Sequence, residues 1–126
     1  MTFAEAQRRC LALPGAEKDH PFGPETAVYR VGGKLFALMG EAGVSINLKC
    51  DPGLAEELRA AYESVRPGYH MNKRHWNTVD LVGDVPAAVL GDLIEDSYDL
   101  IVSALPKAKQ RALGWAPAVD LPGDAT

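Results

Sequence analysis

The stretch GYHMNKRHWNTV, residues 68–79, sets Lys73, Arg74 and two histidines, His70 and His75, between Tyr69 and Trp76. Cations interleaved with aromatic rings suit nucleic acid, because Lys and Arg neutralise phosphates while Tyr or Trp stacks on a base. Residues 64–79 carry Arg66, Lys73 and Arg74 and no acid, whereas residues 80–106 carry six acids and no base. The net charge of -4 therefore hides charges sorted by position. The plainer reading of the same stretch is structural: Tyr69 and Trp76 wedge into the edge of a core, and the cations are solvated.

Other chemistry is weakly signalled. There is no phosphate-binding loop, dinucleotide fingerprint or nucleophile elbow. The segment VGGK has two glycines beside a lysine but joins two strand-like runs instead of opening a helix. His20, His70 and His75 are scattered, and the five-residue interval of the last two does not place both on one helical face, so no metal site is expected. Asp92, Glu95, Asp96 and Asp99 fit the solvated side of an amphipathic helix better than an acid–base pair. No cofactor and no catalytic residue is expected.

The elements that must position the basic stretch follow from periodicity and punctuation. Thr2 and Glu5 form a capping box ahead of an apolar stripe of Phe3, Ala6, Cys10 and Leu13, which Pro14-Gly15 ends. AEKDHPFGPET reads as a loop with Phe22 as a lone apolar anchor. TAVYRV and KLFALM flank Gly32-Gly33, a two-residue hairpin signal. In VSINLK, Val44, Ile46 and Leu48 are expected to be buried, and Ser45, Asn47 and Lys49 wet. Asp51-Pro52 opens a second helix with a stripe of Leu54, Leu58, Ala61 and Tyr62. VRPGYH and WNTVDLV form a second hairpin with MNKR at its turn. Core packing prefers the Val79/Leu81 face and leaves Trp76 on the wetter side.

A long helix begins at Val85-Pro86. Its stripe runs through Val89, Leu90, Leu93, Ile94, Ser97, Leu100, Ile101, Ala104 and Leu105, and Pro106 ends it. Ser97 is expected to face inward with its hydroxyl on the carbonyl one turn back. The order α-β-β-β-α-β-β-α gives a two-layer α/β sandwich: a mainly antiparallel five-stranded sheet covered by helices on one face. One domain over residues 1–113 is expected, followed by a flexible tail over 114–126.

Composition agrees with a globular chain: 126 residues, 47% of them hydrophobic, make one core. No run approaches a membrane span, and MTFAEAQRRC lacks the pattern of a signal peptide. Two cysteines without CxxC spacing read as small buried hydrophobes in a reducing cytoplasm.

Five separated motifs, CLALPGAEKDHPFG, GKLFAL, INLKCDP, PGYHMNKRHWNTVDL and IEDSYDLIVSALPK, resemble the MmcQ/YjbR family of small bacterial proteins over about residues 3–107. The resemblance implies a secretion-chaperone-like two-layer fold and DNA binding through a double wing of two hairpins. One wing would carry Arg30 and Lys34. The other would carry Lys73, Arg74 and His75, with Arg66 and Trp76 at its base. The alternatives are a protein- or peptide-binding module using the polar sheet face, and a small-molecule-binding protein of the drug-resistance type.

Overall fold

The computed structural model describes residues 1–40, 42–69 and 71–115. Ten elements follow one another: α1 (Phe3–Leu11), β1 (Glu17–Asp19), β2 (Thr26–Val31), β3 (Lys34–Gly40), β4 (Ser45–Lys49), α2 (Pro52–Ala61), β5 (Val65–Pro67), β6 (Trp76–Asp80), α3 (Ala87–Ser103) and α4 (Lys107–Ala112). The strands form one antiparallel sheet in the order β1-β2-β3-β4-β6-β5. The sheet has six strands, not five, because the segment expected to be a loop contributes β1 against β2. No described helix is long and apolar enough to cross a membrane.

The local signals act as their chemistry requires. Thr2 accepts from the Glu5 amide, and Glu5 accepts from the Thr2 amide, closing the capping box of α1. Asp51 accepts from the amides of Gly53 and Leu54 at the start of α2. Gly32 and Gly33 both take positive φ, 58° and 82°, in the β2–β3 turn. At Gly32 a side chain would be strained by the positive φ, and its Cβ would press on the Leu105 Cδ1 methyl at 2.6 Å.

The core lies between the sheet and the helical layer. Ala27, Tyr29, Val31, Ala37, Met39, Ile46, Leu48 and Val79 face α1 and α3, from which Ala6, Cys10, Leu90, Ile94, Tyr98 and Val102 descend. Trp76, Thr78 and Asp80 fall on the opposite face, as the period of two requires.

That opposite face is not simply wet. Val28 (0% exposed), Asn47 and Thr78 are buried on it, while Val44, expected in the core, precedes β4 and is exposed. Over Asn47 and Thr78 the cover is a loop: the Tyr69 amide donates to Thr78 Oγ1 at 3.0 Å, and Tyr69 and Met71 lie over this face. The stripe of α2 also differs. Ala55 is its buried residue, Leu58 and Tyr62 are half-buried, and Leu54 and Ala61 are exposed.

After Pro106 the chain makes α4, unforeseen in the sequence, and returns. Leu113 and Trp115 pack against the core, and Trp115 Nε1 donates to Asp99 at 2.9 Å. The folded body therefore runs past residue 113 to Trp115; residues 116–126 lie outside the described residues.

Candidate nucleic-acid interface

The strand register decides whether two hairpin tips can act together. Val31 pairs with Lys34, Ala37 with Leu48, and Lys49 with Trp76. The β2–β3 turn and the β5–β6 connection therefore leave the sheet at the same end. Only β4 separates β3 from β6. At about 4.8 Å per strand, these two strands are roughly 10 Å apart.

The β5–β6 connection is not a projecting hairpin. Tyr69 and Met71 fold onto the open face, and Asn72–His75 forms a turn beside α2. Arg59, on α2, holds that turn: its Nε donates to Asn77 Oδ1 at 2.7 Å and its NH2 group to the carbonyl of Lys73. Asn72 Oδ1 accepts from the Arg74 amide, and the His75 carbonyl accepts from the Cys50 amide. A cleft of about 410 Å³ remains between the turn and the start of α2, with Arg59, Lys73 and Arg74 facing Glu56.

The seven candidate side chains divide accordingly. Arg30 is committed to Asp19 at 2.7 Å, and Arg66 is committed to both oxygens of Asp80 at 2.9 and 3.0 Å. The Arg66 guanidinium is held above its ordinary pKa by that carboxylate. Hydrogen bonds, the His20 amide first and Arg30 second, lower the pKa of Asp19. Lys73 Nζ donates to the Gly68 carbonyl at 3.0 Å. Lys34 and Arg74 are exposed and their side chains have no partner among the described residues. His75 and Trp76 are half-buried, with Trp76 opposite Lys49 on the open face.

Sequence reading missed two contributors. Arg59 was assigned no role, yet it fixes the turn that presents Arg74. The basic run Lys107, Lys109 and Arg111 joins the same end, because Leu105 packs on Gly32 and Lys109 Nζ reaches the Gly32 carbonyl at 3.4 Å. The cluster was visible as charge, but its placement depends on α4 folding back. Glu17 and Asp19 also lie at this end, so its positive balance comes from number rather than purity. Asp92, Glu95, Asp96 and Asp99 occupy the exposed side of α3, where burial and mutual repulsion raise the pKa of Asp96.

A six-stranded antiparallel sheet with helices on one face and a loop folded onto the other defines an α+β two-layer sandwich. Comparison places the chain within that class. The YjbR family model matches residues 11–100, and the chain belongs to the YjbR family. It is 46% identical to YbdF of Escherichia coli O157:H7 over 108 residues, 84% of this chain and 88% of that protein. Against YjbR of Escherichia coli K12 the identity is 37% over 115 residues, 90% and 98% of the two chains. A crystal structure of a Deinococcus radiodurans protein with a DUF419 domain superposes with a TM-score of 0.85 at 38% identity, covering 95% of this chain and 94% of that one.

Proposed function

We propose that this protein binds the phosphate backbone of nucleic acid, without reading bases and without catalysis. Lys34 and Arg74 make the central contacts, and α4, which meets the β2–β3 turn through Lys109, adds Lys107 and Arg111. One observation carries the reading: the register brings both turns to one end of the sheet, where the α4 cations join them. Strands β3 and β6, from which the two turns leave, are roughly 10 Å apart, comparable with the ~12 Å width of a major groove. Arg30 and Arg66 drop out as phosphate ligands because each already holds a carboxylate.

Fluorescence anisotropy with a labelled duplex over a range of salt tests this. Three to five phosphate contacts give a slope of log affinity against log salt of about -3 to -4.5. Lys34→Ala/Arg74→Ala removes about two units of slope, near 0.9 per contact, at unchanged melting temperature. Arg66→Ala leaves the slope as it was. A parent that does not bind duplex DNA at low salt, or a double variant that binds like the parent throughout, overturns the proposal.

A further inference from the structure

The open face of the sheet carries a groove of about 550 Å³, remote in character from the basic end. Its lining includes Phe22 and Tyr69, which are 71% and 68% exposed, together with Leu38 and Met71. Exposed aromatics rimming an apolar concavity mark binding surfaces, and this volume falls in the ~300–1,000 Å³ range of small-molecule sites. Phe22 is held there by two successive turns, in which the Gly23 amide donates to the His20 carbonyl and the Thr26 amide to the Gly23 carbonyl.

Two independent features point to an occupant. The first is Asn47 in the floor, only 8% exposed. Thr78 Oγ1 accepts from the Tyr69 amide and donates its own proton to Asn47 Oδ1. This fixes the carboxamide orientation and leaves the two Nδ2 protons without a partner among the described residues. Among the described residues no buried side-chain nitrogen or oxygen lacks a partner, so this NH2 group is open to the groove and can donate to an occupant's acceptor there. The second is Gly40, in β3 opposite Thr26. Its φ is not positive, and among the described residues a Cβ there would meet only the Glu25 carbonyl, 3.9 Å away. Backbone geometry does not require this glycine; its missing side chain keeps the groove open.

We infer that the groove binds a small, flat, mostly apolar molecule with one carbonyl-type acceptor. The rings of Phe22 and Tyr69 enclose its body, and Asn47 Nδ2 donates to its oxygen. A peptide is the poorer fit. The floor strands β3 and β4 are each paired on both sides, so a peptide backbone brought over this face finds no free ladder groups for its own amides.

The probe is 6-propionyl-2-dimethylaminonaphthalene, a flat naphthalene with a single ketone whose emission shifts to the blue when it leaves water. It should bind saturably, with amide shift changes at Leu38, Asn47 and Tyr69 and at the Asn47 side-chain NH2. Asn47→Ala should weaken binding roughly tenfold, the worth of one hydrogen bond. Gly40→Met, which fills the groove without touching its polar floor, should abolish binding at parental stability. Binding should be unchanged in Lys34→Ala/Arg74→Ala and nearly independent of salt, which separates this site from the proposed phosphate contacts. No saturable blue shift, shift changes mapping elsewhere, or a Gly40→Met variant that binds like the parent overturns the assignment. So does a groove that takes up an unstructured peptide in preference to the probe.

Discussion

The hydroxyl of Ser97 donates to the carbonyl of Phe36, 61 positions away in sequence, at 2.6 Å, and accepts from the Lys49 amide at 2.9 Å. Phe36 is the extra residue of a bulge, since Tyr29 pairs with Ala37 and Arg30 with Leu35. The β3–β4 pairing also stops at Ala37 and Leu48. A bulge leaves its extra residue outside the ladder, and α3 supplies the missing partner. Ser97 is thus a polar pin between the helical layer and two strands, fully buried. Ser97→Ala leaves both backbone groups unsatisfied and should lower unfolding stability by about 1–3 kcal/mol. Urea denaturation measures it. Ser97→Leu adds overpacking of about 1–3 kcal/mol and should be the worse of the two.

Trp115 docks where the sequence suggested a free tail. Its ring is half-buried on the core, and its indole N–H donates to Asp99. Removing residues from 114 onward should cost about 1–2 kcal/mol, part of the ~1.5–3 kcal/mol for a fully buried large side chain. Removing residues from 116 onward separates this contact from the rest of the tail. A melting temperature equal in the parent and the 114 truncation would show that the contact is idle.

Asp84 makes stability depend on acid. Its carboxylate accepts from the amides of Glu63 and Ser64 at 2.8 and 2.9 Å, and hydrogen bonding, foremost with Ser64, lowers its pKa from the ordinary 3.8. The folded state then binds fewer protons than the unfolded one. This contribution is complete above the unfolded value and is lost as pH falls through the folded value. Asp84→Asn should flatten the fall in melting temperature below about pH 4. An identical pH profile in the variant would exclude this carboxylate as the source.

Both thiols should be inert in the native protein. Burial pushes Cys10 up to about 12 and Cys50 up to about 11, the latter helped by Asp51 and Asp96. A thiolate is the reacting species. Ellman's reagent at pH 8 should therefore react slowly with the folded chain and rapidly with both residues in denaturant. Fast native labelling would place a thiol at the surface.

The sequence by itself determined what short-range chemistry controls. Thr2 and Glu5 cap a helix because both groups lie within one turn, and Gly32-Gly33 turns a hairpin because only glycine takes positive φ there without cost. The inward phase of Ser97 follows from the 3.6-residue period, and the Val79 side of β6 from the period of two. The five motifs carried the family in the same way.

Tertiary structure decided the partnerships between residues distant in sequence. The hydroxyl of Ser97 bonds to Phe36 and Lys49 instead of the carbonyl one turn back, because a distant bulge leaves an acceptor there. Arg30 and Arg66 look like free cations in the sequence, yet strand pairing sets Asp19 and Asp80 within reach. Asn47 and Lys49 share one alternating face, but the loop carrying Tyr69 buries the first and leaves the second half-exposed. Local propensity acts over one turn or one hairpin. Which charges meet, which face is covered and which donor is left without a partner depend on register and loop path, set by segments tens of residues apart.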